Sequence, residues 1–155
     1  MISVYDKKEN AAFYTPTYVV NKMIEINNIN KNSIILEPSV GGGIFIFEIL
    51  DFFKNKLNKK IKQTLKENIY MNDIDKGAID RLYLLISIYA LENKEIVNKS
   101  DFNVSNFDFL SNEFNDFYSN IKFDIIIGNP PYLSLEKGFL KETIDLYKKE
   151  YKTIY

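Results

Sequence analysis

Four short apolar runs, each ending in a polar or glycine-containing turn and separated by segments of helical period, most restrict what this chain can fold into. The runs fall at residues 33–36, 68–71, 102–107 and 123–127. Between them lie Phe45, Phe47, Ile49, Leu50 and Phe53, then a stretch from Ala78 to Leu91 with an apolar face of Leu82, Leu85, Ile86 and Tyr89, then a shorter helical segment over 113–118. Strands alternating with helices predict right-handed βαβ units: an α/β fold with a mainly parallel sheet and helices on both faces. Ile125 to Ile127 is expected to be a strand buried on both faces, broken by Gly128.

Two further helices are expected at the ends. One begins near Thr15 with Pro16 in its first turn, runs through Val20, Met23, Ile24 and Ile26, and closes in the Asn-rich link 27–32; the other fills 140–151. The Lys-rich stretch 54–66 reads as the end of one helix followed by a solvated connection, with nucleic-acid contact as the lesser alternative. Four strands without a closing edge suggest an excerpt of a longer protein.

Composition removes whole classes of chemistry. The chain has 155 residues with no Cys and no His, so cysteine nucleophiles, His-dependent triads, thiolate metal sites and disulfides are excluded, and no metal site is expected. Twenty basic residues against 21 acidic ones give a net charge of −1, which is not the basic footprint of an autonomous nucleic-acid binder. No apolar run is long enough to span a bilayer and residues 1–6 carry no signal-peptide pattern, so a soluble, cytoplasmic protein with no membrane partner is expected. The abundance of Lys, Asn and Ile has the look of genomic bias, which weakens arguments from single Lys or Asn residues.

The chemistry-bearing residues gather where strands end, the place at which open α/β sheets bind ligands. After the fourth run comes Asn129-Pro130-Pro131-Tyr132. The prolines fix φ and donate no amide proton, so the Pro130 carbonyl and the Asn129 side-chain oxygen can act as two rigid acceptors for an exocyclic amine, with Tyr132 stacking on its ring. The plainer alternative is a loop in which Pro-Pro merely ends a strand. After the first run, Glu37-Pro38-Ser39-Val40-Gly41-Gly42-Gly43 precedes Phe45 at a helix start, where glycines admit a ligand to the backbone and helix amides face it. A zwitterionic amino-acid tail suits that turn, and a simple tight turn also explains it. Asp73 can accept from both hydroxyls of a ribose, with Ile74 packing on an adenine face, while Asp75 is expected to cap the next helix. Asp108 with Phe109 can receive an adenine amino group and ring, and Asp101-Phe102 competes for that role.

In this order the segments resemble the amino-terminal half of the adenine-specific DNA methyltransferases of restriction-modification systems, in the subclass whose cofactor motifs precede the catalytic one. The resemblance covers nearly the whole chain. It implies a partial Rossmann-like, class I S-adenosylmethionine-dependent methyltransferase fold, with an amino-terminal helical element over 1–30 that contacts the cofactor and a partial catalytic domain over 31–155. It further implies that Phe13, Tyr14, Thr15 and Pro16 contact the methionine part of S-adenosylmethionine and that Glu37, Pro38, Ser39, Gly41, Gly43 and Phe45 surround methionine and ribose. Asp73 and Ile74 then serve ribose and adenine, Asp108 and Phe109 the adenine, and Asn129, Pro130, Pro131 and Tyr132 catalysis on a flipped base. The implied partners are double-stranded DNA, held mostly by segments beyond this chain, and a fused or separate endonuclease and specificity subunit. The rival readings are a protein-glutamine or RNA methyltransferase and a non-catalytic remnant.

Overall fold

The computed structural model describes residues 15–130. Phe13, Tyr14, Pro131, Tyr132 and the helix expected over 140–151 lie outside the described residues.

The elements run α1 (Thr17–Ile26), β1 (Ile35–Glu37), α2 (Ile44–Asn55), α3 (Ile61–Glu67), β2 (Ile69–Asn72), α4 (Lys76–Glu92), a 3-10 turn (Lys99–Asp101), β3 (Asn103–Ser105), α5 (Asn112–Phe117) and β4 (Ile125–Ile126). The strands form one sheet in the order β3-β2-β1-β4. Every pairing is parallel, with Ile35 opposite both Ile69 and Ile125, and Tyr70 opposite Asn103. The expected α/β architecture is therefore the one observed, with β1 and β2 inside the sheet.

The two-residue period of the strands divides the core between the faces. Ile35, Ile69 and Met71 point to the main core, where they meet Val20 and Ile24 of α1, Ile46, Ile49 and Phe53 of α2, and Leu82 and Ile86 of α4. Leu36 and Tyr70 point the other way, onto a smaller aromatic cluster with Phe114 and Tyr118. Tyr70 meets Phe123 edge-on at 5.3 Å between centroids, so the second face is closed by ring packing around the short α5.

Four local expectations change. The Lys-rich stretch contains α3, in which Ile61, Thr64 and Leu65 are fully buried. Its lysines are the polar side of an amphipathic turn: Lys62 and Lys66 pair with Asp101, and Lys59 pairs with Glu67 at 2.8 Å while lying over the Phe53 ring. Ile126 is 60% exposed rather than buried, because β4 is the outer strand among those described and the aromatic cluster covers only its inner neighbours. On α4 the buried set is Ala78, Ile79, Leu82, Ile86 and Ala90, and Leu85 turns outward, since a helix lying on a sheet buries a narrower stripe than its apolar content allows. The first helix begins at Thr17, not near Thr15, because Pro16 is extended (φ −62°, ψ 139°) and serves as its N-cap residue. Among the described residues no helix is long and apolar enough to cross a membrane.

Candidate functional site

All four strands point their carboxyl ends the same way, and the acids and amides selected from the sequence, Asp101 excepted, collect there. At the end of β1, Glu37 is 1% exposed and is followed by a turn in which Val40 donates its amide to the Asn72 carbonyl (3.0 Å). That turn ends at Gly43, the N-cap residue of α2, with φ +82°. A side chain there would be strained, and its Cβ would stand 2.6 Å from Leu82 Cδ1, so only glycine lets α2 start this close to α4. Phe45, at 3% exposure, belongs to the main core and seats α2 on the sheet.

At the end of β2, Asp73 uses both carboxylate oxygens. Oδ2 accepts from the Gly41 amide and Oδ1 from the Asp75 amide, each at 2.8 Å. This ties the glycine turn of β1 to the acid of β2, and each oxygen keeps a further lone pair for a ligand. Ile74 beside it is 71% exposed. Asp75 caps α4 by accepting from Gly77 N at 2.8 Å, as the sequence suggests.

Beyond β3, Asp108 accepts from the Leu110 amide at 3.0 Å, and Phe109, 38% exposed, leans edge-on against Phe114. Asp101 is at the opposite, amino end of β3. There it accepts from Asn98 N (2.8 Å) and pairs with Lys62 and Lys66, whereas Asp108 follows β3 beyond its carboxyl end.

The turn after β4 stands at the same end. Ile127 donates its amide to Leu36 O (2.9 Å), which aligns this turn with the end of β1. A Cβ on Gly128 would lie 2.9 Å from Glu37 Oε1, so absence of a side chain is what allows the approach to the glycine-turn acid. Asn129 follows, its Nδ2 donating to Thr15 Oγ1 at 3.0 Å. Pro130 is exposed at the tip, as is Pro16 in front of α1.

One residue that the sequence reading passed over organises the crevice. Asn72, 1% exposed, donates through Nδ2 to the carbonyls of Pro38 and Phe107 (both 3.0 Å) and accepts at Oδ1 from Ser105 Oγ (2.7 Å) and Phe107 N (3.1 Å). A single carboxamide thus holds the loops after β1 and β3 to the tip of β2. Asn106 adds a second tie by donating to the carbonyls of Asp73 and Ile74.

Against this ordered frame two polar atoms stand out. Glu37 Oε2 and Ser39 Oγ are buried and find no hydrogen-bond partner among the described residues. Burial, and secondarily the charge of Asp73, push the Glu37 carboxyl well above the usual glutamate range. Orphaned acceptors beside a glycine turn suit a polar ligand with N–H or O–H groups, and the amino-acid end of S-adenosylmethionine has that character. The residues present therefore fit such a cofactor: Glu37, Ser39 and the Gly41 turn for its amino-acid end, Asp73 for a ribose diol, and Asp108 with Phe109 for a base.

Over 140 residues the chain is 29% identical to the type II methyltransferase M.HincII of Haemophilus influenzae, covering 90% of this chain and 20% of that protein. Over 170 residues it is 25% identical to the type II methyltransferase M.BstVI of Geobacillus stearothermophilus, covering all of this chain and 30% of that protein. A chain in the cryo-EM structure of the DrdV–DNA complex superposes with a TM-score of 0.67 at 23% identity, over 93% of this chain and 17% of that one. That likeness shows the fold alone, the parallel α/β architecture described above. The chain spans between a fifth and a third of the length of these curated relatives. With the profile of that family matching residues 15–155, the chain belongs to the Eco57I restriction-modification methylases.

Proposed function

We propose that this chain forms the cofactor crevice and the amine-binding turn of a DNA methyltransferase that transfers a methyl group from S-adenosylmethionine to the exocyclic amino group of adenine, within a restriction-modification system. The observation that carries the reading is the approach of the β4 turn to the β1 turn, in which a Gly128 Cβ would lie 2.9 Å from Glu37 Oε1. Asn129 and Pro130 follow directly on Gly128 in the chain, which supports reading them as the amine-binding turn.

When bound, the cofactor supplies a sulfonium-activated methyl group. The chain's residues have only to align the partners, which suits a sequence with no Cys and no His. Asn129 Oδ1 and the Pro130 carbonyl accept hydrogen bonds from the two N–H groups of the target amine, draw its nitrogen towards tetrahedral geometry and so free its lone pair, and one amine proton leaves to solvent after the methyl transfer. Asp73 grips the ribose and Asp108 the cofactor's adenine, while Glu37 and Ser39 receive the amino-acid end. An adenine amine is out of reach inside a duplex, so the target base is flipped out of double-stranded DNA into this turn. Contacts to DNA beyond the target base, and any endonuclease or specificity subunit, belong to other parts of the protein or its system.

The test is Asn129→Ala in the intact protein, with labelled S-adenosylmethionine and duplex DNA whose products are resolved as methylated nucleosides. Turnover to N6-methyladenine is expected to fall by about a hundredfold, the order seen on losing one preorganised hydrogen-bond partner, with cofactor affinity unchanged. Label on cytosine, RNA or protein, or undiminished turnover by the variant, refutes the assignment.

A further inference from the structure

Along a strand successive carbonyls point to opposite sides, so one donor cannot serve two in a row. Just past the tip of β2 one donor does. Asn106 Nδ2 donates to the carbonyls of Asp73 (2.6 Å) and Ile74 (3.0 Å), which therefore turn the same way as the chain leaves the sheet. Both partners are carbonyl oxygens, so only the amide nitrogen can face them and the orientation of this carboxamide is fixed. Asn106 directly follows Ser105, which stands opposite Asn72 in the parallel register, and Asn72 holds the Phe107 amide and carbonyl through its own side chain. Two asparagines, one from each side, thus clasp the loops after β2 and β3 together.

These loops carry two large apolar side chains that the fold leaves exposed, Ile74 at 71% and Phe109 at 38%. The separation of the loops governs which flat ring can touch both. Without Asn106 the two aligned carbonyls repel each other and turn apart towards water, and the Ile74 backbone moves with them. We infer that Asn106 is a positioning residue for the cofactor's adenine: by tying the Ile74 peptide to the loop that leads to Phe109, it fixes the spacing of the two apolar side chains and with it the size of base accepted. The inference rests on the proposed S-adenosylmethionine site, in which Ile74 and Phe109 serve the adenine, and it adds a residue that acts through those neighbours.

The experiment compares wild type, Asn106→Ala and Asn106→Asp in the intact protein, by calorimetric titration with S-adenosylmethionine and with its analogue methylated at adenine N6, beside steady-state methylation of duplex DNA. Wild type is expected to bind the enlarged analogue about tenfold more weakly, as a fitted pocket does for one extra methyl group. Asn106→Ala is expected to weaken S-adenosylmethionine binding about tenfold, to bring the analogue within about threefold of the natural cofactor, and to leave kcat at saturating cofactor within about twofold. Asn106→Asp keeps the shape but sets oxygen against two carbonyls, so it should lose at least as much. In an Ile74→Ala background Asn106→Ala should cost less than about twofold, because the side chain it places has gone. If Asn106→Ala does not fold, Asn106→Ser carries the same comparison. A wild-type protein that binds no S-adenosylmethionine refutes the proposed function and this inference with it. A wild type that binds it, with Asn106→Ala unimpaired, with the preference between the two cofactors unchanged, with the loss confined to kcat, or with the full loss in the Ile74→Ala background, refutes the inference alone.

Discussion

Replacing Asn72 tests the idea that one buried amide holds the crevice together. Asn72→Ala removes four hydrogen bonds, to the carbonyls of Pro38 and Phe107 and from Ser105 Oγ and Phe107 N, at a site 1% exposed. Each is worth about 1 kcal/mol net, and the groups left behind have little access to water, so the loss should be about 3–4 kcal/mol. For a chain of this size that lowers Tm by about 10 °C. Asn72→Asp is the same-shape control. It can still accept from Ser105 and Phe107 N, yet it sets carboxylate oxygen against two carbonyls, so at neutral pH it should lose at least as much. Protonating the new carboxyl in acid restores one donor and narrows the gap. Urea titrations of the 155-residue chain followed by circular dichroism measure both variants. A loss below about 1 kcal/mol for alanine, or wild-type stability for aspartate, would show that the loops keep their places without this clamp.

Three further outcomes are expected. Asp73→Ala frees the Gly41 amide and removes both ligand-facing oxygens, so S-adenosylmethionine affinity by calorimetry should drop about thirtyfold, the equivalent of two hydrogen bonds; unchanged affinity rejects the ribose assignment. Leu65→Ala in α3 should cost about 2–5 kcal/mol in the same urea assay, since the side chain is fully buried, and a loss under 1 kcal/mol would return the Lys-rich stretch to a solvated connection. Burial lifts the Glu37 carboxyl, so the folded chain keeps its proton where the unfolded chain has lost it, and stability falls as pH rises from the ordinary glutamate value towards the raised one. Glu37→Gln should accordingly be more stable than wild type at neutral pH and no different in strong acid; parallel melts that differ equally at both pH values contradict the burial argument.

The parts of this fold that could be read from the chain are those set by period and by turn chemistry. The alternation of apolar runs with helical stretches is enough for a parallel sheet, and Asp75, two residues before Gly77, announces the start of α4. What escaped reading depends on neighbours distant in sequence. Lysines at 60, 62 and 66 conceal the apolar pair Ile61 and Leu65, whose burial is decided by the sheet they pack on. Ile126 has the same local sequence as a doubly covered residue, and its exposure follows from strand order. Asp101 and Asp108 lie beyond opposite ends of β3, which only the strand's span reveals. Asn72 was hidden by the abundance of asparagine, although an asparagine at a strand tip just before a site acid was the available signal. The Thr15 to Asn129 bond joins two motifs read separately as cofactor contact and catalysis.

These particulars share one physical pattern. Polar groups that shape the crevice satisfy one another: Asp73 holds Gly41, Asn72 holds Pro38 and Phe107, and Thr15 holds Asn129. Glu37 Oε2 and Ser39 Oγ find no such partner among the described residues. An unmet buried polar atom costs about 1–3 kcal/mol, so Glu37 Oε2 and Ser39 Oγ carry that penalty where a ligand can relieve it. The free energy released when they are met is available for binding. Glu37→Gln separates the two effects. It removes the burden of a buried ionisable group and should stabilise the unliganded chain at neutral pH, while placing an N–H₂ where a ligand donor would come and weakening S-adenosylmethionine binding. A variant that gains stability and keeps full affinity would mean that Glu37 is only a buried acid of the sheet and that the cofactor's amino-acid end is held elsewhere.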